Sequence, residues 1–183
     1  MRKFVLCLFA VTAIFTQTYG QTSWEKDPNN PVLPRGTNGE WDDQFLSGPY
    51  VLFDGTVYHM WYGGWDGGSG GTSIGYAYSS DGINWTRDTL NNPVLEPGPS
   101  GSWDEVTVYQ PSVFFDGTTY NMWFGGHNDI NRRIGFATSP DMINWTKHPN
   151  NPVVDLGPSG TWDDDYVDSP DVLFVDGVYH MWY

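Results

Sequence analysis

The sequence predicts an all-β chain folded as a β-propeller, built from four-stranded repeats of about sixty residues. Three observations carry that prediction. The first is repetition: Asn30-Pro31-Val32 recurs as Asn92-Pro93-Val94 and Asn151-Pro152-Val153, at intervals of 62 and 59. Each asparagine is followed at fixed spacing by Trp41-Asp42, Trp103-Asp104 or Trp162-Asp163, then by Pro49, Pro111 or Pro170, then by Trp61, Trp123 or Trp182. The second is patterning, since short apolar and aromatic runs alternate with Asp-Gly and Gly-rich punctuation and nothing shows helical periodicity. The third is where lengths differ. Copy one is three residues longer than copy two, and the extra residues fall after Trp65 and just before Asn91-Asn92, the loop positions that a rigid sheet tolerates.

The elements follow in order. Arg2-Lys3, the apolar stretch Phe4 to Phe15 and the small-residue site Thr18-Tyr19-Gly20 read as a secretory signal peptide over 1–20, with an uncleaved anchor as the alternative. The propeller domain then occupies 21–183. Trp24-Glu25-Lys26 and the residues after it match Trp145-Thr146-Lys147 at identical spacing, which predicts an outer strand over 24–33. The first blade, 44–100, holds Tyr50 to Phe53, the Asp54-Gly55 turn, Val57 to Tyr62, Ser73 to Tyr78 and Ile83 to Arg87. Asp-Gly between β-rich runs is a strong hairpin signal because glycine supplies positive φ freely. The second blade, 106–160, repeats that map, and 166–183 begins a third. Two blades, a begun third and an orphan outer strand do not close a ring. The expectation is therefore the N-terminal part of a longer protein, incomplete at its C-terminal end and monomeric when full length.

Composition narrows the partners. The only cysteine, Cys7, lies in the signal segment, which excludes thiol chemistry and cysteine metal sites in the mature chain. Net charge is −14, and loss of Arg2 and Lys3 takes it to −16. So acidic a chain has no electrostatic case for nucleic acid or an anionic membrane. Aromatics at 17% fit uncharged ligands that stack on rings, carbohydrate above all. The protein is expected to be secreted, extracellular or periplasmic.

Repeated positions are most simply scaffold. Trp61, Trp123 and Trp182 read as packing between sheets, and Asp42, Asp104 and Asp163 as turn or cap residues. His59 and His180 share a slot with Asn121, which argues against catalysis there. Trp65 is unrepeated, with His127 near its counterpart, and sits in a Gly-rich loop as a candidate sugar-stacking platform. The strings Ser79-Ser80-Asp81-Gly82-Ile83-Asn84-Trp85 and Ser139-Pro140-Asp141-Met142-Ile143-Asn144-Trp145 resemble the Asp-box of sialidase propellers with one residue fewer between Asp and Trp. That motif speaks to blade geometry.

The repeat breaks at the two residues before each central proline: Ser47-Gly48, Tyr109-Gln110 and Asp168-Ser169. First strands line the axial channel of a propeller, so chemistry is expected there. With these strings the mature chain resembles the five-bladed propeller glycosidases related to families 32, 43 and 130, which include invertases, arabinanases and mannoside phosphorylases. The resemblance implies a five-bladed propeller with three axial carboxylates from its first three blades, acting as nucleophile or base, modulator and general acid. Asp168-Ser169-Pro170-Asp171 is similar to the Glu-Cys-Pro-Asp string that carries the acid in family 32, with Asp in place of Glu. Gly48 and Gln110 stand where aspartates would be expected, and the nearby acids are Asp43, Glu105, Asp164 and Asp165.

Two readings remain open. In one, the protein is a secreted glycoside hydrolase acting on plant or microbial oligo- or polysaccharide, with Asp43 as base or nucleophile, Glu105 as modulator or acid, and Asp168 as the third axial carboxylate. Tyr109, Gln110, Trp65 and His127 would then contact the sugar. In the other, the propeller binds glycans without cleaving them. No cofactor and no metal site is expected. An axial calcium would suit oxygen ligands, but no spacing here is diagnostic of one.

Overall fold

The computed structural model of the chain describes residues 24–183, and the signal-peptide segment lies outside them. Residues 24–30 stand as part of a separate unit, with a turn in which Asp27 Oδ1 accepts the Asn29 N–H at 2.8 Å. No strand forms within 24–33, which corrects the expected outer strand.

Pro31–Tyr183 is one compact unit, and no helix occurs among its residues. Its first sheet runs β1 (Phe45–Phe53), β2 (Tyr58–Trp65), β3 (Ser73–Ser79), β4 (Thr86–Arg87), each antiparallel to the next. The second repeats that order with β5 (Thr107–Phe115), β6 (Tyr120–His127), β7 (Arg132–Ser139) and β8 (Thr146–Lys147). β9 (Asp171–Val175) and β10 (Val178–Trp182) pair as a two-stranded third sheet. Consecutive strands that neighbour one another and repeat sheet by sheet are the propeller arrangement.

Local chemistry explains each boundary. Asp54 Oδ1 accepts the N–H groups of Thr56 and Val57, both at 2.7 Å, and closes the β1–β2 turn; Asp116 does the same for β5–β6. The first strands of the first two sheets start earlier than Tyr50 and Ser112 suggest, because proline interrupts without ending them, whereas β9 starts at Asp171, just after Pro170. Ser47 pairs with Gly63 and Tyr50 with Trp61, so Gly48 and Pro49 bulge opposite Tyr62 alone. A bulge is where a strand accommodates a residue lacking an N–H. Fourth strands are only two residues long, since the expected Ile83 to Trp85 segment is a turn. There Asp81 Oδ1 accepts from the Ile83 and Asn84 backbones at 2.9 and 2.7 Å, and Trp85 Nε1 donates to the Gly82 carbonyl.

The Asn-Pro-Val motif caps third strands. Asn92 Oδ1 accepts the Tyr76 N–H at 2.7 Å and its Nδ2 donates to the Tyr76 carbonyl at 2.9 Å. Asn151 treats Phe136 identically. One side chain thus supplies both bonds of a strand neighbour.

The core lies between sheets. Trp61 is fully buried with Val108, Val113, Met122 and Phe124 of the second sheet, and Trp145 meets it edge-on at 6.2 Å. Trp123 does the corresponding work against Val167 and Val172. Trp182 is 56% exposed, since among the described residues no further sheet covers it. The Trp-Asp aspartates are more than turn residues. Asp42, 1% exposed, accepts from Arg87 Nε of the outer strand at 2.8 Å and from the Tyr62 hydroxyl at 3.1 Å, while Asp104 pairs with Lys147. A buried charge needs such a partner. Burial, then the Asp42 charge, pushes the Tyr62 phenol well above its ordinary value.

Candidate functional site

The segments at the three central prolines meet, with a bulge in β1 and in β5 and the stretch just before β9. The residue before each proline has left-handed backbone: φ is 50° at Gly48, 47° at Gln110 and 55° at Ser169. Ser169 Oγ lies 2.6 Å from Gln110 Oε1, and a Cβ on Gly48 would meet Gln110 Cγ at 2.8 Å. The slots where the repeat breaks are therefore brought side by side around one centre.

The residues one step earlier form the polar half of the site. Asp168 Oδ2 accepts from the Tyr109 hydroxyl at 3.2 Å and from Arg132 Nη1 at 3.1 Å. A backbone bond explains why Arg132 is there. The Val167 N–H donates to the Arg132 carbonyl at 3.1 Å, as the Val108 N–H does to Thr72 one blade earlier. Each inner strand is thus tied to the start of the preceding blade's third strand, and Asp168 emerges next to the tie. Burial, then the negative charge of Asp168, pushes the Tyr109 phenol well up, so it remains a donor. The hydrogen bond to Asp168 raises Arg132 further above its already high value.

Beside this group opens a cleft of about 340 Å³ whose wall includes Phe45, Trp65, Tyr109, Gln110, His127 and Arg132. Trp65 is the last residue of β2, opposite Phe45, rather than a loop residue. Its Nε1 donates to the Gly68 carbonyl at 2.8 Å, which fixes the ring. His127 occupies the same slot on β6, opposite Thr107, and meets the Tyr109 ring edge-on at 6.2 Å. Burial first, then the Arg132 charge, lowers its pKa against the opposing pull of Asp129. His127 Nδ1 accepts the Asp129 N–H at 3.1 Å, which leaves the neutral ring's proton on Nε2. Fixed rings with a few polar groups between them suit a pyranose, which offers apolar faces and hydroxyl edges.

Asp43 and Glu105, expected as axial acids, are placed elsewhere. Asp43 Oδ2 accepts the Gly39 N–H at 2.7 Å, Glu105 Oε2 the Gly101 N–H at 2.6 Å, and Asp164 Oδ2 the Gly160 N–H at 2.5 Å. The same turn bond in all three copies marks a structural slot; none of Asp43, Glu105 and Asp168 lines the cleft itself, and Asp168 borders it through its bonds to Tyr109 and Arg132. Of the expected residues, the structure brings together Asp168, Tyr109 and Gln110, with Trp65 and His127 on the cleft wall. Arg132 was missed. Its counterpart is Thr72, so a break in the repeat was the signal available. No group of three His, Cys, Asp or Glu side chains among the described residues is arranged to hold a metal, and no helix there is long and apolar enough to cross a membrane.

Residues 44–183 match the model of the glycoside hydrolase 130 family, described as beta-1,4-mannooligosaccharide phosphorylase. An uncharacterised protein of Mycobacterium tuberculosis is 30% identical over 167 residues, covering 85% of this chain and 53% of the relative. The beta-1,2-mannobiose phosphorylase of a Thermoanaerobacter species is 29% identical over 136 residues, covering 66% of this chain and 43% of that enzyme. Among solved structures, a protein from Parabacteroides distasonis superposes with a TM-score of 0.67 at 21% identity, over 87% of this chain and 53% of that one. This likeness shows the fold, that of five-bladed propeller glycoside hydrolases, of which the chain covers a few blades. The chain spans about half the length of the first curated relatives that it matches. It belongs to the glycoside hydrolase 130 family of glycoside-processing phosphorylases and hydrolases.

Proposed function

We propose that the protein is a secreted glycoside-processing enzyme that binds a mannose-containing oligosaccharide in the axial cleft and cleaves it with Asp168 as one acting carboxylate. The observation that carries this reading is the placement of Asp168, the acid at the axial slot, against Tyr109 and Arg132 beside a ring-lined cleft. Trp65 and Tyr109 offer faces for stacking, and His127 Nε2–H and Gln110 offer polar contacts. Glycosidic cleavage needs a second acidic group across the bond. Asp43 and Glu105 spend an oxygen on turn N–H groups, so this reading assigns the second group to a later blade of a longer protein. The signal-like composition of 1–20 supports secretion.

The cleft's polarity also supports a second reading, a propeller that binds glycans without cleaving them, because Gly48 and Gln110 leave two axial slots without an acid. The test is sugar release by the full-length protein from aryl mannosides and β-1,2- and β-1,4-mannobiose, with and without inorganic phosphate. Release that vanishes in Asp168→Asn supports the enzyme, and its phosphate requirement separates phosphorolysis from hydrolysis. Binding of these sugars without release by the folded protein supports the glycan-binding propeller.

A further inference from the structure

Ser169 has one hydroxyl proton and two oxygens within hydrogen-bonding distance, Gln110 Oε1 at 2.6 Å and Asp168 Oδ1 at 2.9 Å. Asp168 is ion-paired with Arg132, and a carboxylate only accepts. A carbonyl oxygen only accepts as well. One proton cannot serve both, so the second contact would set two acceptors against each other with no hydrogen between them. The O and N of a terminal amide occupy interchangeable positions, and proton count decides between them. With the Gln110 amide turned, its NH₂ donates to Ser169 Oγ, and the Ser169 O–H donates to Asp168 Oδ1. Asp168 Oδ2 already accepts from Tyr109 and Arg132. Each contact within the group then has one hydrogen and one lone pair.

We infer that Ser169 is a positioning residue that sets the polarity of the axial slot, holding the Gln110 amide so that its carbonyl oxygen is the atom left for the ligand. The inference rests on the axial cleft being the sugar site. Gln110 lines that cleft, and among the described residues its second amide atom has no partner. The slot therefore presents an acceptor from Gln110 beside the acceptors of Asp168, a pattern that selects a sugar edge with donating hydroxyls. A ligand that covers this slot but lacks one of those hydroxyls leaves an acceptor unmatched and is rejected.

The backbone makes a clean test available. Ser169 and Gln110 both hold positive φ, where glycine is less strained, so Ser169→Gly and Gln110→Gly each remove a side chain without disfavouring the fold. Two measurements on the full-length protein are paired: the Gln110 side-chain NH₂ resonance by ¹⁵N NMR, and β-1,2-mannobiose binding by calorimetry. One Gln110 NH₂ proton is expected downfield in the wild type and at its free position in Ser169→Gly. Ser169→Gly should weaken mannobiose binding about tenfold, equivalent to about 1.4 kcal/mol, with an unchanged or higher unfolding midpoint. The double glycine variant should bind no more weakly than Gln110→Gly alone, because the serine acts through the amide. An NH₂ resonance that ignores Ser169→Gly, or additive losses in the double variant, overturns the inference. Absence of mannobiose binding by the wild type would instead overturn the choice of sugar, while the resonance still decides the proton chain.

Discussion

Gly48 and Gln110 lie in contact across the axial slot: a Cβ on Gly48 would stand 2.8 Å from Gln110 Cγ and 3.2 Å from its Cα. The first blade thus gives up its axial side chain to make room for the second blade's amide. Gly48 also has φ 50°, so Gly48→Ala meets strain and collision together. It should destabilise the fold by about 1–3 kcal/mol and weaken sugar binding by displacing Gln110. A denaturant midpoint equal to the wild type's would show that the neighbouring amide yields freely.

Asp168 and Glu105 are expected to separate in function. Asp168→Asn keeps the size of the side chain but loses the ion pair with half-exposed Arg132, so stability should change by less than about 1 kcal/mol. Turnover should fall by about 10²–10⁴-fold. Glu105→Gln and Asp43→Asn retain an oxygen for the turn N–H and should keep turnover within about threefold. A large loss in either would return that carboxylate to the reaction.

The Trp-Asp turn of copy one carries a correctable defect. Asp104 Oδ1 accepts the Ser102 hydroxyl at 2.9 Å and Asp163 Oδ1 the Thr161 hydroxyl at 2.6 Å. The equivalent residue in copy one is Glu40, and Asp42 Oδ1 is buried without a partner. Glu40 instead accepts the Thr37 N–H, a donor that the other copies lack because Pro99 and Pro158 stand there. The pair Thr37→Pro and Glu40→Ser should restore the missing bond and stabilise the protein by about 1 kcal/mol, read as a higher denaturant midpoint. Lower stability would mean that the Asp42 oxygen is served by water.

Strong acid should loosen the β1–β2 hairpin. Backbone N–H bonds from Val57 first, then the His59 side chain and the Thr56 N–H, hold Asp54 at about 2 against an ordinary 3.8. A lowered folded-state value means stability present above 3.8 and lost as pH falls toward 2. Asp54→Asn, which does not titrate, should show a shallower decline across that window than the wild type in acid unfolding monitored by circular dichroism. Parallel declines would place the acid sensitivity in other carboxylates.

The repeat, the strand order and the hairpin turns were legible in the chain because they depend on neighbours in sequence: Asp54 meets Val57, Asp81 meets Asn84, and Trp61 recurs wherever a sheet must cover the next. The bulged prolines misled, since a proline reads as a strand start while the ladder continues past Ser47 on its far side. The outer strand at 24–33 misled as well: its pattern matches that of 145–152, yet no strand forms there.

The sequence by itself determined the blade, its caps and the axial slots at which copies differ. Only the tertiary structure decided which side chains face one another in those slots. Asp168 finds Tyr109 and Arg132, 59 and 36 residues away, because a backbone bond between blades sets the distance. Asp43 and Glu105, nearer in sequence to the slots, are turned into their own loops by a local N–H. Local bonds are encoded by spacing, whereas contacts between blades follow from how sheets pack, which no single stretch of chain specifies.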